Sequence, residues 1–253
     1  MKELKLDNTH NVRDLGGEFT EPDGEVRYHK MIRSANLINI DQADNQLLYD
    51  YGVRTVIDLR SSDEVQRDPD NILIKDINYV NIPIFKHGDT DAAHHSKDKV
   101  RSGYDQMMDE YTELVTSDFS QKAYRKIFDI FLANDGADQS VLYHCLGGKD
   151  RTGIISLLFL GALGVPQDQI FADYFYTNFS SREVIEQSVK DAHARQASRK
   201  ELLDLDAFMT AKKSYYDRMN DLVNEYGGPT SYLKDKVGLS DQDLQLLKKL
   251  YKK

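Results

Sequence analysis

The chain has little cysteine, proline or glycine for its length. Its 253 residues include one cysteine, Cys145, with five prolines and 15 glycines. A single cysteine forms no intramolecular disulfide, so a fold cross-linked by disulfides is excluded. The lack of disulfides is typical of proteins in a reducing compartment. No stretch rich in proline, glycine or serine divides the chain, so the sequence predicts a single domain over residues 1–253.

Long hydrophobic runs are also missing. The longest, from Ile154 to Val165, is interrupted by Ser156 and two glycines and is too short to span a bilayer. Residues 1–6 lack the apolar core of a signal peptide. Together with the lone cysteine, these absences predict a cytoplasmic protein without stable membrane insertion, and they leave export without a recognisable signal open.

Positive charge is scarce, because 33 Lys and Arg residues face 42 Asp and Glu residues and the net charge is −9. An acidic chain is not expected to bind nucleic acid or to be attracted strongly to anionic membranes. An anionic substrate therefore has to be drawn in by a local group of cations. Lys149 and Arg151 are expected to supply that positive charge, together with Arg13, Arg33 and Arg60 if the fold brings these three arginines near the loop that contains Lys149 and Arg151.

The sequence does contain a distinctive loop around Cys145. Residues 144–153 are HCLGGKDRTG; a strand-like run, Ser140 to Tyr143, precedes them, and an apolar helical pattern begins near Thr152. A loop that opens a helix presents free backbone N–H groups and the positive end of the helix dipole, which favour a bound anion and the thiolate form of cysteine. Arg151 adds a planar charged fork that matches phosphate oxygens. The loop therefore predicts a phosphate-binding cradle that contains a nucleophile.

The expected chemistry assigns a role to each side chain of this loop. We expect Cys145 to attack phosphorus in line and form a phosphocysteine, while Arg151 and the loop amides hold the equatorial oxygens. Thr152 is expected to donate its hydroxyl to the sulfur, and His144 to hold the loop geometry. This chemistry needs neither a metal ion nor a cofactor. The residues predicted to bind phosphate are Leu146, Gly147, Gly148, Lys149, Asp150 and Arg151.

At these residues the chain resembles the cysteine-dependent protein tyrosine phosphatases, whose loop carries His-Cys, five residues and Arg. The stretch from Gly148 to Thr152 is similar to the bacterial branch with tyrosine and phosphoinositide phosphatase activity. The resemblance implies a phosphotyrosine protein or, through Lys149, a phosphoinositide as substrate, with inorganic phosphate held in the loop. Other segments that follow the family order are Asn11–Gly17, Arg33–Leu37, Asp58–Ser61, Asp173–Asn178, Tyr226–Gly227 and Gly238–Ser240.

The resemblance also implies that Asp150 is the general acid that protonates the leaving group. The usual tyrosine phosphatases carry this aspartate on a separate upstream loop, for which Asp89 and Asp91 are the candidates, and the choice between the two arrangements stays open. Three histidines within residues 87–95 lie in the same polar stretch. Their spacing matches no metal-ligand pattern, so a surface loop is expected there.

Strand and helix patterns alternate along the chain, which predicts a single α/β domain with a central, mostly parallel sheet of about four to five strands flanked by helices. The C-terminal third is predicted to be helical. Cys145 is expected at the carboxyl end of a strand, where ligands bind in such sheets. The predicted strands are 25–33, entered by a hairpin turn at 23–24, then 54–59, 79–82 and 140–143. The predicted helices are one from about 41, then 100–115, 119–133, 153–163, 167–177, one capped by Ser180, 208–226, and one from 240 to about 251.

The helix predicted over 100–115 has two interpretations. Some members of the family carry a helical lid inserted at about 86–135, and the same apolar face is equally typical of core packing. The pattern alone does not choose between them. The face consists of Tyr104, Met107, Met108, Tyr111, Leu114 and Val115.

A phosphate cradle also suits a second class of function, a catalytically weak module that binds phosphorylated partners. The intact set of Cys145, Asp150 and Arg151 favours the enzyme. A sulfur-transfer or arsenate-reducing enzyme would need a resolving thiol, and the chain has no second cysteine. Neither the physiological substrate nor the oligomeric state follows from the sequence.

Overall fold

A six-stranded sheet forms the centre of this computed structural model, which describes residues 2–18, 24–85 and 101–253. The strands are β1 (Lys2–Glu3), β2 (Arg13–Asp14), β3 (Met31–Ser34), β4 (Val53–Asp58), β5 (Asn78–Asn81) and β6 (Ser140–His144). Their order is β1-β2-β3-β6-β4-β5. The four strands from β3 to β5 in this order pair in parallel, whereas β1 and β2 are antiparallel to their neighbours.

The predicted α/β fold with a mostly parallel sheet is therefore confirmed, with six strands instead of four to five. The two additional strands, β1 and β2, have two residues each, which is too short for an alternating pattern to appear in the sequence. The strand predicted over 25–33 is wrong in its first part. His29 has a left-handed φ of 59°, which interrupts extended backbone, and β3 starts only at Met31. The hairpin turn predicted before it lies mostly outside the described residues.

Helices cover the sheet. They are α1 (Gln42–Tyr51), α2 (Ser62–Arg67), α3 (Gly103–Thr116), α4 (Asp118–Ala133), α5 (Asp150–Leu163), α6 (Gln167–Ser180), α7 (Arg182–Ala194), α8 (Arg199–Met209), α9 (Lys213–Glu225), α10 (Pro229–Asp235) and α11 (Asp241–Tyr251). From Asp150 onward the described chain contains no strand, so the predicted helical C-terminal third is confirmed. None of the described helices is both long and apolar enough to cross a membrane.

Strand β6 lies inside the sheet, and its side chains alternate between two apolar cores. Val141 and Tyr143 belong to the larger core, which includes side chains of α3, α4, α5 and α9 to α11. Leu142 belongs to the smaller core, which includes Leu48 of α1 and the apolar side chains of residues 4–12. Because side chains of a strand point to opposite faces in turn, this alternation shows that both faces of the sheet are covered.

Helix α5 is the rigid support of the Cys145 loop. Every residue from Arg151 to Leu160 is buried, as the continuous apolar pattern predicts for a central helix. Its C-terminus is closed by Gly164, whose φ of 89° is the left-handed conformation that glycine adopts without strain. The loop that precedes α5 is thus anchored between a buried strand and a buried helix.

Two helix predictions are wrong, each because of a tertiary hydrogen bond. The helix predicted over 208–226 is divided, because the side chain of Asn178 exchanges two hydrogen bonds with the backbone of Ala211, at 2.9 and 2.7 Å, between α8 and α9. Ser180 does not cap α7. It ends α6 and donates its hydroxyl to Asn11 Oδ1 at 2.6 Å, while Ser181 precedes α7 without a side-chain cap.

A buried charge cluster joins the sheet to α6. Arg13 of β2 and Arg33 of β3 both bind the carboxylate of Asp173, at 2.6 and 2.5 Å, and all three side chains are at most 1% exposed. Burial opposes the charged form, but the two guanidinium groups outweigh it and hold the pKa of Asp173 below its usual range. One carboxylate therefore fixes two strands against one helix.

We expect Asp173→Asn to lower the free energy of unfolding by about 3 to 5 kcal/mol, because it leaves two buried guanidinium groups without their counter-charge. Urea denaturation measures the change. Asp168→Asn, at the exposed start of the same helix, is the matched control and is expected to cost less than about 1 kcal/mol. Equal losses in the two variants would contradict a structural role for the cluster.

Candidate active site

The loop from Cys145 to Lys149 connects the end of β6 to the start of α5. Cys145 is buried, and the loop turns sharply at Gly148, where φ is 67°. A Cβ at this position would lie 2.3 Å from the carbonyl oxygen of Ser34, so only glycine allows the loop to pack against the end of β3. Cys145 therefore lies at the carboxyl end of the sheet, as predicted from the order of strand and helix.

Side chains from outside the loop bind its carbonyl groups. Asn11 Nδ2 donates to the carbonyl oxygens of Gly147 and Gly148, each at 3.0 Å. Arg33 Nη2 also donates to Gly148 O, at 2.7 Å, and the backbone and side-chain N–H groups of Asn36 both donate to Leu146 O at 3.0 Å. These bonds hold the negative ends of three peptide dipoles on the outer side of the loop, which favours an anion on the inner side.

Arg151 is held by a bidentate ion pair with Glu64. Its Nη1 and Nη2 lie 2.7 and 3.0 Å from the two carboxylate oxygens, and both side chains are at most 5% exposed. Burial raises the pKa of Glu64, but the hydrogen bonds and charge of Arg151 outweigh it and lower the pKa to about 2. Burial also opposes the charge of Arg151, whereas Cys145 and Glu64 raise its pKa. The planar fork is thus charged and fixed in direction.

Glu64 is itself positioned by the first turn of α2. Its carboxylate Oε2 accepts the backbone N–H of Ser61 at 2.8 Å, and the Ser61 hydroxyl accepts the backbone N–H of Glu64 at 3.3 Å. This reciprocal capping box holds the carboxylate in the orientation in which it binds Arg151. Sequence analysis did not identify Glu64. The Ser-x-x-Glu spacing was visible, but it indicates only a helix start, and the contact with Arg151 spans 87 residues.

His144 lies behind the loop in a second buried charge cluster. Its Nδ1 is 3.1 Å from Cys145 O, and its Nε2 is 3.0 Å from a carboxylate oxygen of Asp70, with Asp58 4.0 Å from Nδ1. Burial lowers the pKa of His144, but the two carboxylates outweigh it and the net shift is upward. This environment suits the predicted role of holding the loop, because the imidazole contacts the Cys145 carbonyl through Nδ1 and faces Asp70 through Nε2.

Arg60 completes that cluster. It binds Asp58 at 2.7 Å and Asp70 at 2.9 Å, and all three side chains are at most 1% exposed. Asp58, Asp70 and His144 are the one group of three potential metal ligands within the described ranges. Arg60 already supplies positive charge to both carboxylates, so the geometry is that of an ion-pair network. The network holds the loop from the side of β4.

The fold brings the three N-terminal arginines close to the loop, but each of them is paired with carboxylates, which limits the positive charge that they add there. Arg60 faces two carboxylates and adds no net positive charge. Arg13 and Arg33 face the single carboxylate of Asp173, so the pair contributes one charge in excess beneath Gly148. Their effect on a bound anion is exerted through the loop.

Asp150 and Lys149 lie at the start of α5. The Asp150 carboxylate is 22% exposed, and its Oδ1 accepts a hydrogen bond from the hydroxyl of Tyr111 and lies 3.4 Å from Lys149 Nζ. Lys149 is buried and donates to the carbonyl oxygen of Thr210 at 3.2 Å, in the break between α8 and α9. It is therefore not a solvated loop lysine. The same break that divides the predicted C-terminal helix supplies this carbonyl.

The remaining predicted residues have the following places. Thr152 is buried, and its hydroxyl has no hydrogen-bond partner in the described part of the chain. Leu146 is 43% exposed at the rim of the loop, and nothing lies within 4 Å of a Cβ placed on Gly147. Asp89, Asp91 and the histidines of residues 87–95 lie outside the described residues.

We expect Glu64→Gln to reduce both stability and turnover, because the neutral amide cannot balance or orient the buried guanidinium of Arg151. Loss of one partner of a buried ion pair costs about 3 to 5 kcal/mol of unfolding free energy. Urea denaturation and initial rates with p-nitrophenyl phosphate measure the two effects. Glu186→Gln, on the exposed face of α7, serves as control. A Glu64→Gln protein with unchanged rates would show that Arg151 does not depend on this contact.

Comparisons with known proteins give one family. The model of the tyrosine phosphatase family matches residues 4–253. A putative tyrosine-protein phosphatase of Cupriavidus necator is 33% identical over 177 residues, which are 70% of this chain and 63% of that protein. A tyrosine-protein phosphatase of Nostoc commune is 30% identical over 225 residues, 86% of this chain and 72% of its own. The triple specificity protein phosphatase PtpB of Mycobacterium tuberculosis is 31% identical over 202 residues, 70% of this chain and 69% of its own.

The chain thus spans less than two thirds of the length of the Cupriavidus protein and slightly more of the other two. Among solved structures, that of TpbA from P. aeruginosa is similar over 71% of this chain and 87% of its own, with 18% identity and a TM-score of 0.32. The resemblance inferred from residues 144–153 is confirmed by the family model and these relatives. The chain belongs to the tyrosine phosphatase family.

Proposed function

We propose that this protein hydrolyses phosphomonoesters, with phosphotyrosine proteins as its substrates and the Cys145 thiolate as its nucleophile. The observation that carries the proposal is that Cys145 and Arg151 flank one loop, Cys145 directly after β6 and Arg151 in the first turn of α5, with the guanidinium of Arg151 fixed by Glu64. A fixed cation next to a nucleophile is useful where charge develops on equatorial phosphate oxygens during transfer. Membership of the tyrosine phosphatase family supports the same assignment.

The proposed reaction has two steps. In the first, the Cys145 sulfur bonds to phosphorus as the bond from phosphorus to the leaving oxygen breaks, and the leaving oxygen takes up a proton. In the second, water attacks the phosphocysteine, loses a proton to a base, and releases phosphate and the thiolate. Arg151 and the amides of residues 146–150 hold the three equatorial oxygens through both steps. The Thr152 hydroxyl, which is buried and unpartnered in the described part of the chain, is available to the sulfur as it leaves.

Asp150 is the proposed proton donor and acceptor. It follows Lys149 in the loop, its carboxylate is partly exposed, and one of its oxygens is bound by Tyr111. A general acid has to lie within hydrogen-bond reach of the leaving oxygen, and a residue of the phosphate loop meets that condition without a moving segment. The upstream candidates Asp89 and Asp91 form the alternative.

Phosphoinositides are proposed as a second class of substrate. Lys149 places an ammonium group beside the loop, 3.4 Å from Asp150, and the aromatic ring of Tyr215 lies 5.6 Å from it. One relative, PtpB, is described as a triple specificity phosphatase. A phosphorylated lipid headgroup carries more negative charge than a phosphotyrosine, so an additional cation at the loop favours it.

The competing function is a module that binds phosphorylated partners without turnover. Cys145→Ser distinguishes the two. We expect the variant to lose activity on p-nitrophenyl phosphate by at least about 1,000-fold, since a hydroxyl is a far weaker nucleophile than a thiolate. It should still bind a phosphotyrosine peptide, because the amides and Arg151 remain. Initial rates and calorimetric titration measure the two properties.

The parent protein is compared in the same series on a phosphotyrosine peptide, a phosphoserine peptide and phosphoinositide vesicles. Turnover of the phosphotyrosine peptide with retained activity in Cys145→Ser would contradict the thiolate mechanism. Binding without turnover in the parent protein would establish the module. Rates on vesicles decide whether the second substrate class is correct.

To test the proton donor, we expect Asp150→Asn to lower the hydrolysis rate of aryl phosphates with poor leaving groups by about 100-fold or more, because these leaving groups need a proton from the enzyme. Substrates with good leaving groups, such as p-nitrophenyl phosphate, should change far less. Asp191→Asn, on the exposed part of α7, is the control. Equal loss on good and poor leaving groups would assign the role to Asp89 or Asp91 instead.

A further inference from the structure

Tyr111 brings α3 into contact with the loop. Its side chain is fully buried, and its hydroxyl forms a hydrogen bond to Oδ1 of Asp150, 39 residues further along the chain. The same hydroxyl lies 2.7 Å from the hydroxyl of Tyr174 on α6. Side chains of α3, α5 and α6 therefore form one hydrogen-bonded series that ends at Asp150, the proposed general acid.

The chemistry of the three side chains decides which of them donates and which accepts in each hydrogen bond. A carboxylate only accepts hydrogen bonds, so Tyr111 donates to Asp150 and its oxygen accepts from Tyr174. Burial raises the pKa of Tyr111 well above its usual range, and the charge of Asp150 raises it further, so both phenols keep their protons. All donors thus point toward Asp150.

Ring packing does not require this arrangement. Tyr111 stacks on Tyr215 with ring centroids 5.1 Å apart and meets Tyr174 edge-on at 6.4 Å, and phenylalanine at position 111 would preserve both contacts. Two other buried tyrosines show how a structural hydroxyl is satisfied. Tyr124 donates to Leu114 O and Tyr232 to Val115 O, both at 2.6 Å, and these acceptors are backbone carbonyls. Tyr111 instead donates its hydroxyl hydrogen to the carboxylate of Asp150.

The two contacts on Asp150 fall on the same oxygen. Oδ1 accepts from Tyr111 and lies 3.4 Å from Lys149 Nζ, whereas Oδ2 has no hydrogen-bond partner within the described ranges. An oxygen that already faces two donors is a poor place for a further proton. The acid proton is therefore directed to Oδ2, the oxygen left available to a leaving group or a water molecule.

We infer that Tyr111, supported by Tyr174, is a positioning residue that orients Asp150 and keeps its acid proton on Oδ2. The inference rests on the proposed function, in which Asp150 protonates the leaving oxygen as the bond from that oxygen to phosphorus breaks. It also assigns a role to α3 that neither a lid nor simple core packing includes. Helix α3 thus supplies Tyr111, which orients the proposed general acid Asp150.

The test compares Tyr111→Phe with Tyr232→Phe, which removes an equally buried hydroxyl outside the loop. Initial rates are measured on aryl phosphates with good and poor leaving groups across pH, together with thermal unfolding of each variant. We expect Tyr111→Phe to lower the hydrolysis rate of aryl phosphates with poor leaving groups about 10-fold, because part of the general-acid contribution is lost. The hydrolysis rate of substrates with good leaving groups should fall less than about twofold. Tyr232→Phe should slow both classes equally or not at all.

The double variant Tyr111→Phe with Asp150→Asn separates the inference from the function on which it rests. If Tyr111 acts through Asp150, its removal should have no further effect on the leaving-group dependence once Asp150 is replaced. Independent, additive effects of the two substitutions would overturn the positioning role while Asp150 remained the acid. An Asp150→Asn variant without any leaving-group effect would overturn the acid assignment itself.

Discussion

A guanidinium group buried away from water needs a counter-charge, and the active-site region depends on this constraint. Four arginines, Arg13, Arg33, Arg60 and Arg151, are almost fully buried around the loop. Arg13, Arg33 and Arg151 bind carboxylates that lie far away in the chain, whereas Arg60 binds the nearby Asp58 and Asp70. Because the pairs cannot be broken without leaving a charge in the interior, they lock the loop to β2, β3, α2 and α6. The carboxylates are Asp58, Glu64, Asp70 and Asp173.

Buried ion pairs contribute little net stability compared with apolar packing, so their value here lies in direction and not in strength. Glu64 shows this most clearly. Its own orientation comes from a capping box at the start of α2, and it transfers that orientation to Arg151 through two hydrogen bonds. A phosphate held by such a fork meets donors that are already in place, which is the condition for electrostatic stabilisation of a transition state. The same reasoning applies to the proposed general acid, because Tyr111 holds one oxygen of Asp150.

The segments with strong local patterns were predicted well. The strand before Cys145, the buried helix after it and the cap of α11 at Ser240 lie where the sequence places them. Predictions failed where a distant side chain decides the local backbone. His29, whose backbone N–H donates to the side chain of Asp14 at 2.7 Å, adopts a left-handed conformation within an apparently alternating strand. Asn178 divides the helix predicted over 208–226 by binding Ala211. Periodicity cannot reveal either event, because it reports only how one segment distributes apolar residues.

The sequence by itself determined the family and predicted the chemistry of the loop, because a short stretch of neighbouring residues carries both signals. His144, Cys145, Gly148, Asp150 and Arg151 have meaning through their spacing along one loop, and spacing is what a sequence records. Only the tertiary structure decided what holds these residues in place. Glu64, Tyr111 and Asp173 lie on helices and Asp70 lies in the segment between α2 and β5, so all four come from outside the loop sequence. Asp173 acts on the loop through Arg33. Buried polar groups have to find partners in three dimensions, and that requirement is satisfied across the fold and leaves no local pattern.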